Sequence, residues 1–294
     1  TRRSSDLDIA GYFYLNDDDL DWISKKRSEF TRLGYALQLT SVRFLGTFLE
    51  SDSHVPSLIV QVLASQVNVA NLSCLNDYWR SEQRWRHTTE IRTRYGYREF
   101  VDKGVRFRLG RLLCAMCWTG TDRPSILFEH ACVWLIKHKV LLPGVTTLER
   151  FIAEVRTRME SRLWYRLGQN INQEQKNQLE NLLTNADDNG RQSLLDKLRK
   201  GPVRVSSPSL VKALQRIETI RSLNIVLPTP LYIPQVRLAS LARFAGTAKV
   251  SAINRLPVHR RIATLVAFVH CLEATAQDDA LDVLDMLLRE IFSS

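Results

Sequence analysis

The chain has 294 residues, 45% of them hydrophobic and 24% charged, with only 12 glycines and 9 prolines; this excludes wholesale disorder and leaves room for more than one core. A formal charge of +10, dominated by arginine, favours a polyanionic partner, of which nucleic acid is the simplest. Five cysteines scattered through apolar runs point to a reduced cytosolic protein, and the longest apolar run, Ile262 to Leu272 around His270, is too short to span a membrane.

No secretory signal opens the sequence, and Thr1 in place of methionine points to a trimmed chain. The first helix signal is Leu15-Asn16-Asp17-Asp18-Asp19, leading into Leu20, Trp22, Ile23 and later Phe30. Acids crowd such a first turn because the helix dipole favours them, and here they lack the further ligands a metal would need. Leu33 to Phe44 reads as a second, mostly buried helix. Val55-Pro56-Ser57 opens a third, Leu58 to Val67. Asn68 to Asn71 then breaks the chain, and Asn71 or Ser73 caps a helix through Trp79, making a helix-turn-helix candidate with a weak turn.

Arginines and aromatics then interleave: Tyr78-Trp79-Arg80, Arg84-Trp85-Arg86, Arg92, Arg94-Tyr95-Gly96-Tyr97-Arg98. The aromatics are expected to anchor a core, with stacking on sugars or flipped bases as the alternative, and the arginines to contact phosphate. Val101 to Gly104 marks a boundary before a helix from Val105 to Trp118. Cys114-Ala-Met-Cys117 within it has zinc or redox spacing but no second pair nearby, and reads as packing. His130 and His138 fit no ligand pattern.

From Ala131 to Arg158 two helices meet at Pro143-Gly144. Thr146 with Glu149 reads as a capping box that starts the second. Leu148, Phe151, Ile152, Val155 and Met159 form its apolar stripe, Arg150, Ala153, Thr157 and Ser161 lie opposite, and Arg156 and Arg158 flank it. A helix-turn-helix enters a DNA groove with such a unit, although the segment alone fits an ordinary hairpin better.

The helix continues past Trp164 to Leu167. Gln169 to Asn189 is polar, with a helix from Gln173 to Leu183. A basic loop follows, comprising Lys197, Arg199-Lys200-Gly201-Pro202, Arg204 and Ser206-Ser207-Pro208. It precedes a helix from Ser209 to Leu223 and serves equally well as a phosphate wrap or an exposed linker. Val226 to Pro234, with three prolines, is the clearest linker. Between Glu218 and Glu273 there is no acid, while Arg221, Arg237, Arg243, Lys249, Arg255, Arg260 and Arg261 lie there, a run too one-sided for a neutral solvated face. The last helix reverses the sign with Asp278, Asp279, Asp282, Asp285 and Glu290. Its Leu281, Leu284, Met286, Leu287, Leu288 and Ile291 would pack inward or continue into a following domain. With no strand pattern, the expected class is all-α. The expected organisation is tandem helical modules, including helix-turn-helix units, over 1–103, 104–168, 169–230 and 231–294.

Several segments resemble, in order, the N-terminal region of Tn-three-type transposases, the large enzymes of class II replicative transposons. They are Arg32-Leu-Gly-Tyr-Ala-Leu-Gln-Leu39, Glu90 to Arg98, Leu141-Leu-Pro-Gly to Arg150, Leu256-Pro to Phe268, and Asp279-Ala-Leu-Asp282. The resemblance implies helical DNA-binding modules that recognise terminal inverted repeats and help hold two transposon ends together. It places metal-dependent strand cleavage on an acidic triad in a ribonuclease-H-like core well downstream, so no catalytic residue is carried over. No cofactor is expected in this chain, the divalent metal belonging to that absent core. The expected partners are double-stranded DNA at transposon ends and a second copy in a paired-end complex, with no membrane, in the bacterial cytoplasm at the nucleoid.

On this reading Thr147, Arg150 and Arg158 read bases. Arg80, Arg84, Arg92, Arg94, Arg156, Lys200, Arg204, Lys249, Arg260 and Arg261 bind phosphates. A helical RNA-binding or protein-assembly scaffold is the alternative. A stand-alone enzyme is least favoured, for want of paired carboxylates, a metal cluster or a phosphate loop.

Overall fold

The computed structural model describes residues 13–51, 55–184, 192–225, 227 and 233–293. Among them the elements are α1 (Asp17–Ser24), α2 (Glu29–Leu45), α3 (Ser57–Gln66), a 3₁₀ turn (Leu72–Cys74), α4 (Leu75–Arg80), α5 (Gln83–Tyr95), α6 (Lys103–Trp118) and α7 (Pro124–Lys137). They continue with α8 (Val145–Gly168), α9 (Gln173–Asn181), α10 (Leu194–Arg199), α11 (Ser207–Ser222), α12 (Gln235–Thr247), α13 (Val250–Asn254) and α14 (Val258–Ser293). Among the described residues there is no strand, only isolated bridging such as that between Arg98 and Val140, so the all-α class holds. The linker read over Val226 to Pro234 lies mostly outside the described residues.

The chain divides into two compact units, Thr1–Leu113 with Arg123–Ala153, and Cys114–Asp122 with Glu154–Ser294. The segment 104–168, read from sequence as one module, is shared between them because α6 and α8 each supply residues to both.

In the first unit, α2 is buried continuously from Leu33 to Val42 and is contacted by α1, α3, α4, α5 and α7. A helix enclosed this way must satisfy its polar side chains internally. Gln38 does so by donating its amide to the Leu49 carbonyl at 2.9 Å and accepting from the Leu49 N–H at 3.0 Å. Gly34 permits the closest crossing: a Cβ there would stand 2.3 Å from the ring of Tyr78 on α4, a side chain that is itself fully buried.

In the second unit, α14 is the central element. Its residues from Ile262 to Val269, with Leu272, Ala276, Ala280 and Val283, are buried, and α9, α11 and α12 pack along it. At 1.5 Å per residue, a 36-residue helix is about 54 Å long, more than twice the length of α11 or α12. It therefore outruns its neighbours. Leu281, Leu284, Met286, Leu288, Ile291 and Phe292 are exposed, so among the described residues this end does not pack inward, the first of the two alternatives read from sequence.

Two local expectations also change. The connection from α7 to α8 is residues 138–144 rather than a tight Pro-Gly turn, longer than the three or four residues a helix-turn-helix uses. Lys139 takes a left-handed φ of 52°. The segment is then clamped by Arg98 N–H to the Lys139 carbonyl, Leu141 N–H to the Arg98 carbonyl, and Leu142 N–H to the Gly46 carbonyl. Nor is Thr146 the cap of α8. The helix starts at Val145, with the Gly144 carbonyl accepting from Thr147 at 2.9 Å and Leu148 at 3.2 Å, so Thr146 lies inside the first turn. Capping boxes form instead at Asn16 with Asp19, Asn172 with Gln175 and Ser193 with Asp196.

Candidate nucleic-acid interface

In the first unit, α5 carries the arginine-aromatic stretch. Its buried side chains are His87 and Ile91, one helical turn apart. Trp85, two residues before His87, points the other way at about 200° around the helix and is 67% exposed. Tyr78 follows the expectation that these aromatics anchor a core, whereas Trp85 does not. The stripe of His87 and Ile91, continued by Tyr95, was the sequence signal that could have shown it.

The Arg84 guanidinium lies 5.0 Å from the Trp85 ring centroid and donates to the Glu50 carbonyl. Arg94 lies 4.1 Å from the Trp22 ring centroid, and Arg92 pairs with Glu99 at 2.5 Å. Arg80 is exposed at the end of α4. Arg84, Arg92 and Thr147, three residues predicted from sequence, line one cleft of about 860 Å³. Arg150 is exposed one turn further along α8, on the side away from the buried Leu148, Phe151 and Ile152.

In the second unit, Arg158 is exposed, while Arg156 is half-buried with its Nε enclosed and unpartnered among the described residues. The basic loop contains an element that sequence reasoning missed. Ser193 caps the short α10, and Arg199 at its end turns inward. Its Nε donates to the Ala245 carbonyl at 2.9 Å, Nη2 to the Ala248 carbonyl at 2.7 Å and Nη1 to Asp196 at 2.8 Å, tying α10 to the end of α12. Lys200 and Arg204 stay exposed, on a cleft of about 940 Å³ shared with Lys197, Lys212 and Arg216. Arg216 is bound to Asp279 at 2.6 Å and to the Leu198 carbonyl at 2.9 Å.

The acid-free stretch is less one-sided in space than in sequence. Arg221 pairs with Glu273, Arg237 with Asp122 and Arg261 with Glu180. Arg261 also donates to the carbonyls of Asn254 and Leu256, so its guanidinium holds the fold. Arg260 lies 5.4 Å from the Trp164 ring centroid with its Nε enclosed. Arg243, Lys249 and Arg255 remain exposed.

Burial pushes the Cys117 thiol up to about 11 and raises that of Cys114 as well, the opposite of the lowered pKa that a redox or zinc-binding thiolate needs. Among the described residues no group of three or more His, Cys, Asp or Glu side chains is placed to hold a metal ion, and no helix is long and apolar enough to cross a membrane.

Residues 1–155 match the family described as a domain of unknown function, DUF4158. The transposase for transposon gamma-delta of Escherichia coli strain K12 is 43% identical over 288 residues, which are 98% of this chain and 29% of that protein. The transposase for transposon Tn21 of Escherichia coli is 28% identical over 98% of this chain and 29% of its own length. The transposase for transposon Tn1546 of Enterococcus faecium is 26% identical over 97% and 29%. The chain thus spans about 29% of the length of these relatives.

Proposed function

We propose that this chain, which belongs to the family of Tn-three-type transposases and carries a DUF4158 domain over residues 1–155, binds the terminal inverted repeats of a transposon as double-stranded DNA and takes no part itself in bond chemistry. The observation that carries the proposal is the 43% identity to a transposase over 98% of the chain. The exposed cations support it. Thr147 and Arg150 stand in the first turns of α8, where hydroxyl and forked guanidinium groups suit base edges, and Arg158 is the third base-reading candidate. Arg80, Lys200, Arg204 and Lys249 are exposed and suit phosphate. Arg84, Arg92, Arg94, Arg156 and Arg260, each stacked, paired or half-buried, contribute secondarily, and Arg261 serves the fold.

The divalent metal of strand transfer belongs, in this reading, to a downstream core, and the working state is a pair of copies holding two ends at the bacterial nucleoid.

Arg150→Ala should cost about 1–3 kcal/mol and relax preference at one base pair of an inverted-repeat duplex. Arg204→Ala should weaken all sequences alike and reduce the salt slope by about one. Titration of labelled duplexes by both variants reads this directly. Unchanged affinity and base preference for Arg150→Ala would place base reading elsewhere.

A further inference from the structure

We infer that Trp85 is the stacking platform of a site for an unpaired, unstacked nucleotide of DNA, a role distinct from duplex reading and resting on the DNA-binding assignment above. Three observations combine. First, the indole is 67% exposed, although tryptophan is among the side chains that gain most from burial. Its own helix keeps it out, since His87 and Ile91 occupy the inward face of α5.

Second, Trp85 forms a wall of the cleft of about 860 Å³, a size that admits a nucleotide. Phe48, Leu142 and Pro143 line it with apolar surface, and Thr47, Thr89 and Thr147 bring hydroxyls to it. Apolar walls with hydroxyls suit a base and its polar edge; a phosphate alone would gain nothing from them. Third, cations border the indole. The Arg84 guanidinium lies 5.0 Å from its centroid. A second cleft, of about 770 Å³, shares Trp85 with Arg86 and Arg94. An aromatic face set among arginines is the combination that holds a base by stacking and its backbone by charge. In a duplex each base is already stacked on both sides, so only a base at a gap, nick or local distortion presents a free face.

The test uses two probes of equal length on the whole chain: a single-stranded oligonucleotide carrying 2-aminopurine, and the fully paired inverted-repeat duplex. Wild type should quench the 2-aminopurine on binding. Trp85→Ala should abolish the quench and weaken single-strand binding by about tenfold, while Trp85→Phe retains most of both. Affinity for the paired duplex should change less than twofold in either variant, and the unfolding midpoint should not move, because the side chain is exposed. Equal weakening on both probes, or wild-type binding without quenching, overturns the site while leaving duplex binding intact. Failure of the wild-type chain to bind the duplex overturns the DNA-binding assignment itself. Equally tight, equally Trp85-dependent binding of the RNA of the same sequence overturns the assignment to DNA.

Discussion

Asp19→Ala is expected to lower the unfolding free energy of the first unit by about 3–5 kcal/mol, the range for removing one partner of a buried ion pair. Asp19 is 1% exposed. It accepts from Arg43 Nη1 at 2.8 Å and Nη2 at 2.9 Å, from the Tyr95 hydroxyl at 2.6 Å, and from the Asn16 N–H at 3.2 Å. One carboxylate therefore joins the start of α1, the end of α2 and the end of α5. Without it Arg43, also half-buried, keeps its charge but loses its counter-ion. Burial alone would raise the Asp19 pKa, but the Arg43 guanidinium, the Tyr95 hydroxyl and the Asn16 backbone outweigh it and hold the carboxyl below its ordinary 3.8. Its contribution is thus complete above pH 3.8 and is lost as the pH falls through the lowered folded value. Urea unfolding of wild type, Asp19→Asn and Asp19→Ala should rank them in that order. A loss below about 1 kcal/mol for Asp19→Ala would show that the pair is not structural.

A second large effect is expected between pH 6.5 and 4. His87 is 3% exposed, enclosed by Tyr35 edge-on at 5.0 Å and Tyr78 stacked at 5.5 Å, with its Nδ1 3.2 Å from the Tyr78 hydroxyl. Burial, reinforced by the Lys26 cation and opposed by Glu90, lowers its pKa from 6.5 to about 4. The folded state keeps the ring neutral where the unfolded chain protonates it. The contribution is therefore complete above pH 6.5 and falls by roughly 3 kcal/mol as the pH drops to 4. His87→Gln should flatten stability against pH across this window and leave the loss from Asp19 below it. A wild-type slope that survives His87→Gln would assign the titration to another group.

Both predictions concern residues whose importance is not visible locally. The Asn16-Asp19 cap could be read in the sequence because both partners lie within four residues. The partners that make Asp19 an ion-pair hub, Arg43 and Tyr95, are 24 and 76 residues away. The same distance blindness made the stretch from Glu218 to Glu273 look uniformly basic, although Asp122 and Glu180 neutralise two of its arginines. Helix type was legible from the apolar spacing of α2, α8 and α14.

Connections were not legible where backbone pairing set them. The Arg98–Val140 bridge turned a supposed tight turn into a longer link, and Gly144 displaced the Thr146 cap. Arg199 looked like part of an exposed basic loop, whether phosphate wrap or linker, because its carbonyl partners belong to a later helix. Among the site residues, Thr147, Arg150, Arg158, Lys200, Arg204 and Lys249 are exposed as a reader of DNA requires. Trp85 was misjudged because tryptophan usually buries, and the inward stripe of its own helix decided otherwise.

The proposed recognition of transposon ends is sequence-specific and belongs to this chain alone. Its most direct measurement is the affinity of the intact chain for an inverted-repeat duplex and for a scrambled duplex of the same length and composition, both titrated across salt. Specific recognition predicts the repeat bound at least about 10³-fold more tightly at physiological salt, with both affinities falling steeply as salt rises. Equal affinity for the two duplexes at every salt concentration would contradict it.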